Sequence, residues 1–159
     1  MAKEELRQQE IMKPVYFVTN AKPVSYNAAS KTKYEVQLRE EFNNKYASSY
    51  SGLPTSDNNL KARVIYIHRL INNIPDIDNL SKPIIDAFRT VIYKDDCLIA
   101  QRTANIMKLD DFDMAMVDAT SMPINVLRDF NGFVTRREQH IVFFGVSTMD
   151  LNEIRIGVI

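Results

Sequence analysis

The sequence predicts one α+β domain, a mixed β-sheet with helices packed on it. Three observations lead there. β-prone apolar runs recur between stretches of helical periodicity. No domain linker divides the 159 residues, and no segment repeats. At 45% hydrophobic residues a chain of this length has enough apolar material for one core.

The elements follow in order. Residues 1–12 are charged and read as a short helix or a frayed end. Val15–Val18 is a short strand. KPVSYN, residues 22–27, is a turn, because Pro23 fixes its own φ and pushes Lys22 towards extended backbone. Ser30 suits the N-cap of a helix in which Tyr34, Leu38 and Phe42 recur every four residues, and which fades near Tyr46. SSYSGLPTSDNN, residues 48–59, reads as a mobile loop. Lys61–Arg69 is a strand by its β-branched and aromatic run. Leu80–Tyr93 is predicted as a helix burying Leu80, Ile84, Ala87, Phe88, Val91 and Ile92, with Pro83 in its first turn. Cys97–Lys108 is a strand. Ser121–Asn131 is a helix stopped by Gly132. Ile141–Val146 and Ile154–Ile159 are closing strands.

Composition narrows the function. Lys+Arg and Asp+Glu number 20 each, so the net charge is zero. That argues against non-specific coating of DNA but not against an acidic cation site with basic residues grouped elsewhere. The single cysteine, Cys97, leaves no intrachain disulfide and disfavours a cysteine-based zinc site. No apolar run approaches the ~20 residues of a membrane helix, and the start is polar. The expectation is a cytoplasmic protein without membrane contact. Four glycines leave no room for a glycine-rich phosphate loop.

The chemistry concentrates in DIDNLSKPIIDAFRTVIYKDD, residues 76–96. On extended backbone Asp76 and Asp78 point to one side, roughly 6–7 Å apart at Cα. Two adjacent carboxylates repel unless a cation lies between them. Mg²⁺ takes one or two carboxylates and keeps waters that a phosphate oxygen can replace. Asp96, ahead of Asp95, is the candidate third ligand. It stands beyond a helix of roughly 20 Å, so the ligands meet only through neighbouring strands or across a dimer. Asn79 suits an N-cap or a hydrogen bond to a metal-bound group. Lys82 suits a phosphate or an ion pair with Asp86. Spacing alone equally supports a capped surface helix with acidic flanks.

Cations for DNA backbone are Lys61, Arg63, His68 and Arg69 before the motif and Arg102 and Lys108 after it, with Arg136 and Arg137 further on. His68 and His140 otherwise read as ordinary surface or core histidines. Asp110, Asp111 and Asp113 lack EF-hand spacing and read as a solvated turn.

The pattern DxDNLxKxxxDA followed by DD, at Asp76, Asp78, Asn79, Leu80, Lys82, Asp86, Ala87, Asp95 and Asp96, resembles the RusA family of Holliday junction resolvases. Pro23, Ser25 and Asn27 match a P-x-S-x-N element of that family. The resemblance spans about residues 14–109 and leaves 110–159 as a C-terminal extension of the same domain. It implies a RusA-like fold and a homodimeric, Mg²⁺-dependent endodeoxyribonuclease that cuts four-way DNA junctions in recombination and repair. Mn²⁺ is the expected substitute ion. It implies Asp76, Asp78 and Asp96 as metal ligands and Lys82 as the essential lysine, with Asn79, Asp86 and Asp95 supporting. It also implies a bacterial source, phage or prophage included. Two rivals stand beside it. One is an inactive junction-binding protein of the same fold. The other is a metal-dependent hydrolase of a small phosphorylated substrate.

Overall fold

The structure is a computed structural model that describes residues 12–109 and 122–150. The readings of residues 1–11, of the Asp110, Asp111 and Asp113 cluster and of Ile154–Ile159 lie outside these.

Four strands, β1 (Val15–Thr19), β2 (Leu60–His68), β3 (Ile99–Lys108) and β4 (His140–Thr148), form one mixed sheet in the order β1-β4-β2-β3. β4 runs antiparallel to both of its neighbours, and β2 and β3 are parallel. A parallel pair needs a crossover, and α2 (Ile77–Ala87) supplies it, making β2-α2-β3 one βαβ unit. The sheet is the predicted mixed one, and the fold is single-domain α+β.

Strand alternation sorts the side chains. Ala62, Val64, Tyr66 and His68 of β2 are buried on one face, in register with Val146, Phe144, Val142 and His140 of β4. α1 (Lys31–Lys45) and α2 cover this face. Phe88, the C-cap of α2, stacks on Phe144 at 4.9 Å and meets Phe17 edge-on at 5.1 Å. Phe42 of α1 packs on Phe88 at 5.7 Å. α3 (Ile124–Thr135) lies beside β1, and the Tyr46 hydroxyl donates to its Asp129 at 2.6 Å.

Several boundaries differ from the sequence reading. α2 ends at Ala87 rather than Tyr93, because Thr90 adopts a φ of 66° that no helix continues through. Residues beyond it still bury Phe88, Ile92 and Tyr93, so an apolar period outlasts the helix. Gly132 lies inside α3 and stops nothing. Ser30 holds the N-cap position of α1 but its side chain caps no N–H. The 48–59 loop is anchored at buried Thr55, whose N–H donates to Ile92 and whose carbonyl accepts from Lys94.

Candidate active site around helix α2

Asp76 is the N-cap of α2, with extended backbone at φ −67°, ψ 136°. Asp78 already lies in the first helical turn. The two are therefore not the side-by-side pair of a strand, as the spacing suggested. Both are exposed, at the end of the helix whose free N–H groups favour negative charge. Neither side chain has an ion pair or hydrogen bond among the described residues.

Because the helix begins at Ile77, Pro83 falls in its second turn, not its first, and Asn79 is not the N-cap. A proline there has no N–H to give the carbonyl four residues back, which is that of Asn79. The Tyr26 N–H fills the gap, donating to the Asn79 carbonyl at 3.0 Å. KPVSYN is thus joined to the acidic motif through backbone that Pro83 leaves open. An orphaned carbonyl would be costly at this half-buried position, and the contact removes that cost.

Lys82 is the centre of the charge network. Its Nζ donates to Asp86 at 2.5 Å and to Asp96 at 3.3 Å. Asp96 begins a short 3-10 turn that leads directly into β3, so the crossover brings it back beside the middle of α2. The hydrogen bond to Asp86 is the main reason the Lys82 ammonium is held above its ordinary pKa, with Asp96 adding to it. Lys82 is a firm cation at neutral pH.

Asp86 has a second cation, which sequence reasoning missed. Lys31, at the start of α1, reaches its other oxygen at 3.1 Å, pairs with Glu35 at 3.0 Å, and lies 4.5 Å from the Tyr26 ring centre. Burial works to lower the Lys31 pKa, but its bonds to Glu35 and Asp86 outweigh it and raise the net value. Only the i,i+4 step from Lys31 to Glu35 was legible locally. The bond to Asp86 spans 55 residues.

Asp95 touches this network only through the neighbouring Asp96 side chain. One oxygen accepts from the Cys97 N–H at 3.0 Å and the other pairs with Arg89 at 3.2 Å. The Cys97 amide above all, then the Asp96 and Cys97 side chains, with Arg89 adding least, hold its carboxyl down at about 2. Its contacts make it a turn cap. Tyr93 completes the floor: its buried hydroxyl donates to the Ile85 carbonyl, and burial first, then Asp86 and Asp96, keep it un-ionised.

The donor set fits a hard divalent cation, since all three candidate ligands are carboxylates. Among the described residues, no three His, Cys, Asp or Glu side chains stand close enough to hold one together.

The expected DNA-binding cations divide between the faces of the sheet. Lys61 and Arg63 lie on the face away from α1 and α2. Arg102, in register with buried Ala62, lies on the helix side at the sheet edge. Arg69 follows β2, its N–H bonded to the Gln139 carbonyl at 3.1 Å. His68 and His140 stand opposite each other on β2 and β4, and Tyr66 Oη lies 2.7 Å from His140 Nδ1. The Leu70 N–H donates to His68 Nδ1 at 3.1 Å, so His68 carries its proton on Nε2. No helix among the described residues is long and apolar enough to cross a membrane.

Comparison with known proteins bears on the same residues. No curated protein matches the chain. A protein-family model, Endodeoxyribonuclease RusA, matches residues 13–111, which include KPVSYN, α2 and β3. That match covers more than half of the chain and the whole of the βαβ unit, and the chain belongs to the RusA endodeoxyribonuclease family.

Proposed function

We propose that this protein is a divalent-metal-dependent endonuclease that hydrolyses phosphodiesters at four-way DNA junctions, acting as a homodimer in recombination and repair. The observation that carries the reading is the family match together with Lys82, a firm cation beside Asp96 on the helix that opens with the exposed Asp76 and Asp78.

Asp76, Asp78 and Asp96 would hold Mg²⁺, or Mn²⁺ in its place. The bound ion would supply Lewis acidity and a water acidified towards neutral pH. Asp76 and Asp78 bring carboxylates that are unpaired among the described residues to an exposed position, so a cation binding there displaces no described partner. Lys82 is held over Asp96 by Asp86, and its charge serves a phosphate whose negative charge grows during hydrolysis. Asp86 is bonded by two lysines, one on each carboxylate oxygen, which fixes the direction of Lys82 rather than consuming its charge. Asn79 works through its backbone, tying the motif to Tyr26. The exposure of Asp76 and Asp78 favours a macromolecular substrate over a small phosphorylated one.

The deciding experiment incubates the protein with a synthetic four-way junction and with linear duplex, each with and without Mg²⁺. Metal-dependent nicking of the junction in preference to the duplex is expected. Binding without any nicking would favour the inactive junction-binding reading.

A further inference from the structure

Although the chain is neutral overall, its sheet is not. β1, β2, β3 and β4 contain no aspartate and no glutamate. β2 and β3 contribute Lys61, Arg63, Arg102 and Lys108. Among the described residues the acids lie in the helices and connections, so the described β2–β3 half of the sheet has a positive field that the net charge conceals.

On the face away from α2, strand register sets Arg63 between Thr103 of β3 and Gly145 of β4. Lys61 stands one step along the same face, beside Gln101, and Asn105 lies one step the other way. This face is closed at its Ile67–Ile141 end, where both side chains are buried, and open around Arg63. The Tyr16 and Phe143 rings close over Gly145 on the β4 side of Arg63, and on its β3 side a shallow recess is lined by Lys61, Arg63, Thr103, Ala104 and Asn105. Its lining has cations, a hydroxyl and an amide but no carboxylate. Arg63 has no ion pair among the described residues. The Thr103 hydroxyl and the Gln101 amide oxygen are buried without a hydrogen-bond partner among the described residues. An unpaired guanidinium beside an unpartnered hydroxyl and an amide suits a phosphate oxygen.

We infer that this recess is a second DNA-docking site, one that holds a backbone phosphate on the opposite side of the sheet from the α2 carboxylates. The inference rests on the nuclease reading and extends it. A duplex arm lying over the β3 edge would meet Arg102 on the helix side and Arg63 on the other, which a branched substrate allows.

The test is equilibrium binding of the full chain to a labelled four-way junction without divalent metal, over a range of salt. Each phosphate contact adds about 0.9 to the slope of log affinity against log salt. Arg63→Ala should therefore flatten the slope by about 1, and between 50 and 200 mM salt the wild type should lose roughly 4-fold more affinity than the variant. Arg63→Lys should restore the slope. Asn105→Asp, at an exposed position with little bearing on folding, should weaken binding by adding a carboxylate to the recess. Wild-type slope and affinity in both Arg63→Ala and Asn105→Asp would overturn the inference. Displacement of the junction by inorganic phosphate, beyond that by chloride at equal ionic strength, would assign the recess to a small anion and overturn it too. If the variants behave as expected but the wild type never nicks the junction with Mg²⁺, the docking site stands and the nuclease reading falls. If nicking is intact and the slopes do not change, the reverse holds.

Discussion

The two ends of α2 hold the same residue type in opposite states. At its start, Asp76 and Asp78 are exposed and without partners among the described residues. Further along, Asp86 is held by two lysines, one of which also reaches Asp96. One end has charge to give to a ligand, while the other has its charge balanced from within. A carboxylate in a sequence motif is thus not yet a role. Its role is set by whether a cation from elsewhere in the fold reaches it.

The sharpest way to break this comparison is to remove charge at the unpartnered end. Asp78→Asn should abolish metal-dependent nicking, measured on the synthetic junction, while unfolding stability stays within about 0.5 kcal/mol of wild type. Junction binding should persist. A large loss of stability instead would show that Asp78 has a structural partner.

Lys82→Met attacks the balanced end directly. Nicking should fall by on the order of 10²–10³-fold in kcat, as when one positioned charge donor is lost from a transition state. Its ion pairs are partly exposed, so the stability cost should stay below about 1 kcal/mol, read from a urea midpoint.

Lys31→Met is the subtler test, because Lys31 reaches Lys82 only through Asp86. With one of its two cations gone, Asp86 draws Lys82 more strongly towards itself. Nicking should slow roughly 10-fold, as for loss of an orienting partner, with Lys31→Arg recovering most of it. Equal rates in wild type and Lys31→Met would reduce the lysine to a surface ion pair.

The smallest effect lies away from α2. Burial first holds both His68 and His140 below their usual 6.5, with Lys108 beside the one and Lys22 beside the other adding to it. The unfolded chain therefore takes up protons first. Stability from this pair is full above about pH 6.5 and is lost as pH falls through the lower folded values. The unfolding free energy from urea titration should drop between pH 7 and 5, by up to about 1.4 kcal/mol per pH unit for each histidine. A double His68→Gln, His140→Gln variant should show a flatter profile.

Much of this was legible in the sequence, for reasons that are local. The stripe of Tyr34, Leu38 and Phe42 gave α1, because helix periodicity needs only neighbours along the chain. The β-branched run gave β2 to within one residue at each end. The motif 76–96 and KPVSYN gave the family, because residue type and spacing are enough to recognise it. The end of α2 was not legible. Ile92 and Tyr93 continue an apolar pattern, and only the left-handed turn at Thr90 reveals that they are buried from a loop.

What the sequence determined by itself was the inventory: which carboxylates and cations exist, and which segments bury an apolar face. The tertiary structure decided which of them meet. It gave Asn79 the Tyr26 N–H in place of the one Pro83 lacks, and it gave Asp86 the Lys31 ammonium. It set Arg63 and Arg102 on opposite sides of one sheet through the register of β2 with β3. The physical reason is that a hydrogen bond or ion pair acts over about 3 Å, and such pairs are made by packing and strand register rather than by distance along the chain.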